Sequence, residues 1–156
     1  MSTERFATAL TCIDGRIHDA LRDRVRTVLQ VDAVDLVTVQ GPDRVLAHGD
    51  DDWVGRLAER VMVSHRAHGS TQLVIASHSD CAGHPVDDET HRRDLRPAAT
   101  RFAPLVPGMS VRTVHVGRTE VVVWRPEPVG SEVVGPGPAR PAPVDPAPVR
   151  PPESHP

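Results

Sequence analysis

Two short segments of the sequence carry side chains that bind transition metals. The first is CIDGR at residues 12–16, and the second is HSDC at residues 78–81. Zinc prefers thiolate and imidazole ligands in a tetrahedral arrangement, and a catalytic zinc ion keeps three protein ligands with its fourth position open to water. Cys12, His78 and Cys81 supply such a set, so the sequence predicts one zinc site.

Asp14 and Arg16 accompany the first predicted ligand as a carboxylate and a guanidinium two residues apart. Thiolate ligands bring negative charge to a metal, so a nearby carboxylate is unfavourable unless a cation compensates it. Arginine is the fixed, forked cation suited to that task. Asp14 then either accepts a hydrogen bond from a hydroxide on the zinc or takes the fourth coordination position itself and switches the site off.

Alternating strand and helix patterns place these segments in an α/β fold. Apolar runs rich in β-branched residues predict five strands, at residues 6–11, 33–39, 72–76, 110–116 and 120–124. Helical spacing of apolar residues predicts three helices, at residues 17–29, 49–69 and about 87–102. This order predicts a mostly parallel central sheet with flanking helices and a final hairpin. Both cysteines follow predicted strands, and ligand sites collect at the carboxyl ends of parallel strands.

The composition changes at residue 126. Eleven of the sixteen prolines lie between Pro126 and Pro156, among few large apolar side chains. Such a segment cannot bury enough surface to offset the entropy lost on ordering it. We therefore predict a folded zinc domain over residues 1–125 and a disordered Pro-rich tail over residues 126–156, which is either inert or a docking segment for a partner.

Charge and hydropathy argue against two classes of partner. The net charge is -3 with both signs interspersed, which indicates neither a nucleic-acid partner nor an anionic membrane surface. No apolar run approaches the roughly 20 residues that span a bilayer, and the N-terminus lacks the pattern of a secretory signal. We expect a cytoplasmic protein. In a reducing compartment its two cysteines are more often free, metal-bound or redox-active than joined in a disulfide.

The two motifs together resemble those of the β-class carbonic anhydrases. CIDGR is similar to the CxDxR motif of that family, and IASHSDCAG is similar to its second motif, in which an apolar strand leads into HxxC and small residues. The stretch DCAGHPVDDETHRRD also resembles a compact branch of the family. The resemblance covers residues 8–124, with QGPDR at residues 40–44 standing where the family carries an RNAGN-like segment.

The resemblance implies a zinc lyase that interconverts carbon dioxide and bicarbonate through a zinc-bound hydroxide. Carried over by matching position, it implies Cys12, His78 and Cys81 as zinc ligands and Asp14 with Arg16 as the catalytic pair. It also implies a small-molecule substrate and a homodimer or higher homo-oligomer. Two alternatives stay open: hydrolysis of carbonyl sulfide or carbon disulfide, which have the same electrophilic carbon, and a non-catalytic zinc-binding scaffold.

Four further histidines are candidates for proton shuttles: His65, His68, His84 and His91. Unperturbed histidine titrates near pH 6.5, and a shuttle must reach solvent. The interpretation we favour is that they are exposed polar side chains. The best exception is His84, which follows Cys81 by three residues.

Overall fold

The computed structural model describes residues 3–118 and 123–129 of the chain. Within these ranges the strands are β1 (Phe6–Thr11), β2 (Ala33–Thr38), β3 (Gln72–His78), β4 (Ser110–Val116) and β5 (Val123–Val129). The α-helices are α1 (His18–Leu29), α2 (Pro42–His48), α3 (Asp51–His68) and α4 (Asp88–Phe102). A short 3-10 helix precedes α1 at Gly15–Ile17, and another follows α4 at Ala103–Leu105.

The strands form one sheet in the order β2-β1-β3-β4-β5. The first four are parallel to one another, and β5 pairs antiparallel with β4 at the edge. The predicted α/β fold with a mostly parallel sheet and flanking helices is therefore confirmed. Because β1 pairs with both β2 and β3, the segment that follows β1 lies beside the segment that follows β3.

The helices cover both faces of the sheet. Side chains alternate between the faces of a strand, and on β3 the smaller pair, Val74 and Ala76, packs with Leu21 of α1. Leu73 and Ile75 of β3 face the opposite way, into a larger core. That core is completed by buried side chains from α2, α3 and α4, including Leu46, Leu57, Val61, Ala98 and Phe102. None of the described helices is long and apolar enough to cross a bilayer.

Helix α2 is an element that the sequence patterns do not predict, since Gly41 and Pro42 indicate only a turn. The helix begins directly after Gly41, whose φ is +59°, and Pro42 occupies its first turn. Proline is favoured there because the first helical N–H groups have no partner inside the helix. Seven residues are too few for a clear helical period, which explains why the pattern misses α2.

Strand β5 differs from its predicted bounds. It begins at Val123 and ends at Val129, so it includes Pro126 and Pro128. Proline lacks the N–H that a central strand needs, but an edge strand tolerates it. Residues 126–129, which the composition assigns to the tail, therefore belong to the sheet. The remainder of the predicted disordered tail lies outside the described residues, and the division into domain and tail stays a prediction.

Candidate metal centre

The three predicted ligands lie at the carboxyl ends of two neighbouring strands. Cys12 directly follows β1, His78 is the last residue of β3, and Cys81 lies in the turn that follows. Parallel strands end at the same edge of a sheet, so the pairing of β1 with β3 brings the two segments together. The two cysteines become neighbours although 69 positions separate them.

The spacing of the donor atoms fits a tetrahedral zinc ion. The Sγ atoms of Cys12 and Cys81 are 3.8 Å apart, and one donor atom from each of Cys12, His78 and Cys81 lies within 4.8 Å of the others. Two sulfurs each about 2.3 Å from a tetrahedral zinc ion would be about 3.8 Å apart. A disulfide would need a separation of about 2 Å, and both thiols are free.

The imidazole of His78 is oriented for coordination. Its Nδ1 lies 2.8 Å from the carbonyl oxygen of Ser79, and because a carbonyl only accepts, Nδ1 is the donor. The other nitrogen, Nε2, is buried with no hydrogen-bond partner in the described residues. An unpaired buried acceptor costs about 1–3 kcal/mol, whereas a metal ligand typically has this arrangement of one donated hydrogen bond and one free nitrogen.

Opposing effects act on the pKa of the Cys81 thiol. Burial and the neighbouring Cys12 raise the pKa of Cys81, while hydrogen bonds from the backbone amides of Gly83 and His84 lower it. Together these effects raise the pKa of Cys81 above its ordinary value. A cation between the two sulfurs would reverse that direction, because a coordinating thiol is deprotonated. The donor set therefore fits a thiolate-binding cation such as zinc.

Asp14 and Arg16 form a tight ion pair beside the three donors. Arg16 donates from Nη2 to Oδ2 of Asp14 at 2.5 Å and from Nε to both carboxylate oxygens at 3.0 and 3.1 Å. Its backbone N–H donates to Oδ1 as well. These hydrogen bonds hold the pKa of Asp14 well below its usual range. The group of donor atoms that converge within 4.8 Å comprises Cys12, His78 and Cys81 and does not include Asp14.

A family model described as "Putative carbonic anhydrase" matches residues 2–129 of the chain. The chain belongs to this family. The match spans both motifs and all five strands, and the predicted membership of a carbonic anhydrase family is thereby confirmed. No curated protein matches the chain. Family membership together with the converging Cys–His–Cys group supports a metal site and a small-molecule substrate.

Two of the four additional histidines in this carbonic anhydrase family member lie in the interior, so the interpretation of them as exposed polar residues is wrong. His84 is 7 % exposed and His91 is fully buried. Their partners are carboxylates distant in sequence: Asp43 Oδ2 lies 2.6 Å from His91 Nδ1, and Asp94 Oδ2 lies 3.1 Å from His84 Nε2. Asp43 lies within QGPDR and Asp94 ends the stretch DCAGHPVDDETHRRD, but the sequence patterns assign neither residue a role in a site. Helix α2, which carries Asp43, is itself unpredicted.

A further buried histidine, His115 of β4, belongs to a polar network on the α4 side of the sheet. Its Nδ1 lies 2.9 Å from Ser77 Oγ, and its Nε2 lies 3.4 Å from both Ser79 Oγ and Asp88 Oδ1. Burial lowers the pKa of His115 despite the opposing effect of Asp88. The folded chain therefore favours neutral His115.

We expect His115 to make the folded state less stable in mild acid. Because its pKa is lower in the folded chain than in the unfolded one, the unfolded chain binds more protons once the pH falls below about 6.5. The free energy of unfolding should then fall between pH 7.5 and pH 5.5, and less steeply in His115→Gln. Urea denaturation at both pH values measures this. His48→Gln, at an exposed position, is the control, and equal pH slopes in the wild type and His115→Gln would contradict the prediction.

Proposed function

We propose that the chain is a zinc-dependent carbonic anhydrase of the β class, which interconverts carbon dioxide and water with bicarbonate and a proton. The observation that carries the proposal is the 3.8 Å separation of the Cys12 and Cys81 sulfurs beside the buried, unpartnered Nε2 of His78. We assign these three side chains as the zinc ligands and leave the fourth position to water, since Arg16 holds the carboxylate of Asp14.

The bound zinc would supply a nucleophile at neutral pH by lowering the pKa of a water molecule from about 15.7 toward neutrality. Cys12 and Cys81 contribute two negative charges to the site, and neutral His78 contributes the third donor. All three are at most 3 % exposed, so bulk water is largely excluded and electrostatic interactions there are strengthened. Carbon dioxide is small and uncharged, so its binding requires no counter-ion.

Asp14 orients the attacking oxygen in this proposal. Its lowered pKa keeps it ionised throughout the neutral range, and an ionised carboxylate is an acceptor only. It therefore accepts the hydrogen bond from the reacting O–H and leaves an oxygen lone pair free to face carbon dioxide. Arg16 acts through Asp14: its forked contact fixes the carboxylate in one direction and disfavours a swing of that group onto the metal.

Stopped-flow measurement of carbon dioxide hydration on zinc-loaded chain tests the proposal. We expect activity well above the buffer background, and a fall in kcat/KM of about 10²-fold or more in Asp14→Ala, the size typical for loss of a positioned acid–base group. Asp19→Ala is a matched control, because Asp19 also pairs with an arginine but lies on the outer surface of α1. It should retain full activity.

The possible outcomes separate the alternatives. Zinc-loaded protein at the background rate would overturn the lyase and favour a non-catalytic zinc scaffold. Activity that survives Asp14→Ala would remove only the role of Asp14. Release of sulfide from carbonyl sulfide or carbon disulfide at a higher kcat/KM than carbon dioxide hydration would reassign the substrate.

The proposal includes a homodimer in the cytoplasm. The structural feature that supports the dimer is β2, the edge strand opposite β5. All six residues of β2 are only partly buried. An edge strand presents unpaired N–H and C=O groups that a second chain can cover. Light scattering on the eluting protein should give twice the 16.9 kDa mass of one chain, and a single-chain mass would contradict the dimer.

A further inference from the structure

A second cluster of metal-binding side chains lies on the face of the sheet opposite the cysteines. Cys12 and Cys81 belong to the core on the α1 side, whereas Asp43 of α2 and His91 of α4 are carried by helices that cover the other face. His84, in the loop before α4, completes the cluster. We propose that Asp43, His84 and His91 bind a second divalent metal ion of the zinc class. The proposal is independent of the proposed catalytic function.

The geometry of the cluster fits one ion. One donor atom from each of the three residues lies within 4.8 Å of the others. Oδ2 of Asp43 accepts a hydrogen bond from Nδ1 of His91 at 2.6 Å and lies 4.0 Å from Nε2 of His84. The imidazole centroids of His84 and His91 are 5.1 Å apart, at an angle of 64°. Two imidazoles on one tetrahedral ion, each bonded at about 2.0 Å, would have centroids roughly 5 Å apart.

Charge and burial favour a cation at this position. Asp43 and His91 are fully buried, and an isolated buried carboxylate is strongly unfavourable without compensation. Among the described residues the ion-pair partners of Asp43 are His84 and His91, which are neutral unless protonated. Asp94 brings a second carboxylate, 3.1 Å from His84 Nε2. Asp94 already pairs with Arg93 at 3.7 Å, so a divalent ion would chiefly compensate the Asp43 carboxylate while both imidazoles stay neutral.

Two polar atoms of the cluster support the same conclusion. Oδ1 of Asp43 and Nε2 of His91 are both buried, and neither has a hydrogen-bond partner within the described part of the chain. Buried polar groups are nearly always paired, so each exception calls for an unseen partner. Because Nδ1 of His91 donates to Asp43, Nε2 is the nitrogen of His91 that keeps a lone pair for a metal ion. An ion bound by that nitrogen and by Oδ1 of Asp43 would give both atoms the partner they lack.

The backbone holds the ligands together before any ion binds. Gly41, two residues before Asp43, touches Gly83, the residue before His84: a Cβ at Gly41 would lie 2.7 Å from the Gly83 carbonyl oxygen. This close contact fixes the loop before α2 against the loop before α4. Two imidazoles with one carboxylate are a donor set that zinc and other first-row divalent ions accept, and an ion there would connect α2, α4 and the loop of the second motif.

Titration of the metal-free full-length chain with Co²⁺ tests the proposal. We expect two equivalents to bind. One gives the sulfur-to-cobalt charge-transfer absorption of the Cys12–His78–Cys81 site, and the other gives only the weaker visible bands of nitrogen and oxygen ligands. Cys12→Ser with Cys81→Ser should bind one equivalent without charge transfer. His84→Gln should keep the charge-transfer band and lose the other equivalent, whereas the matched control His48→Gln, also near Asp94, should keep both.

A single equivalent in the wild type, accompanied by charge transfer and unchanged in His84→Gln, would overturn the second site. The cluster would then be a hydrogen-bonded network. If circular dichroism shows that the double serine variant does not fold, the numbers of Co²⁺ equivalents bound by the wild type and by His84→Gln decide whether the second site exists. An equivalent without charge transfer in the wild type would support the second site and contradict the cysteine site instead, so the two proposals fail separately.

Discussion

Cys81→Ser is expected to empty the Cys–His–Cys site and to reduce carbon dioxide hydration by at least about 10³-fold, because a water molecule without its metal returns toward its ordinary pKa of about 15.7. Serine keeps the size of the side chain but replaces a thiolate, which zinc prefers, with a hydroxyl. Cys12 and His78 alone leave two donors. Zinc content after dialysis, counted by mass spectrometry, and stopped-flow hydration rates measure the two effects on the same samples.

A loss of activity in Cys81→Ser must be distinguished from a loss of folding. Cys81 is 2 % exposed and packs in the α1-side core, so its replacement could disturb folding. The far-ultraviolet circular dichroism of Cys81→Ser must therefore match that of the wild type before the rates are compared. Asp19→Ala serves again as the control for handling and zinc loading. Retention of the sulfur-to-cobalt absorption together with wild-type rates in Cys81→Ser would refute the ligand assignment.

Gly41→Ala is expected to lower the free energy of unfolding by about 2–5 kcal/mol. Two physical costs combine at this position. Gly41 has a φ of +59°, a left-handed conformation that costs other residues roughly 1–2 kcal/mol. The added Cβ would also lie 2.7 Å from the carbonyl oxygen of Gly83, and overpacking against backbone costs about 1–3 kcal/mol more. Urea denaturation monitored by circular dichroism gives the value.

Gly55→Ala provides the matched control for this loss. Gly55 lies inside α3, and a Cβ there would meet nothing within 4 Å. Alanine is the better helix former by about 0.5–1 kcal/mol, so this change should stabilise the chain. The same substitution thus has opposite expected signs at Gly41 and Gly55. A loss below about 0.5 kcal/mol in Gly41→Ala would show that the two loops separate easily, contrary to the close contact described above.

The elements that carry the cysteines were predictable from local signals. The apolar run before Cys12 and the run QLVIA before the second motif bury almost completely, as strands β1 and β3, and such runs mark central parallel strands. Helix α4 is also predictable, because Asp87 accepts a hydrogen bond from the backbone N–H of Thr90 as an N-cap. For these elements the local sequence and the tertiary environment favour the same conformation.

The histidine cluster was not predictable, because it depends on contacts between distant segments. Asp43 and His91 are 48 positions apart. His91 is surrounded in sequence by charged residues that indicate a solvated surface, and Asp43 directly follows Gly41 and Pro42, which indicate a turn. Their burial follows from the packing of α2 against α4. Likewise, the edge position of β5, which admits Pro126 and Pro128, is a property of the whole sheet. Composition alone assigns both prolines to the tail.

The long separation between Cys12 and Cys81 has a consequence for how the protein is made. Translation proceeds at roughly 5–20 residues per second, so the ribosome reaches Cys81 about 3–14 seconds after Cys12, given the 69 positions between them. During that interval the earlier thiol has neither its partner sulfur nor the imidazole. The nascent chain therefore cannot bind the zinc ion that we propose for this site until β3 has emerged and paired with β1. We expect newly synthesised protein to acquire that ion only after the central strands have assembled.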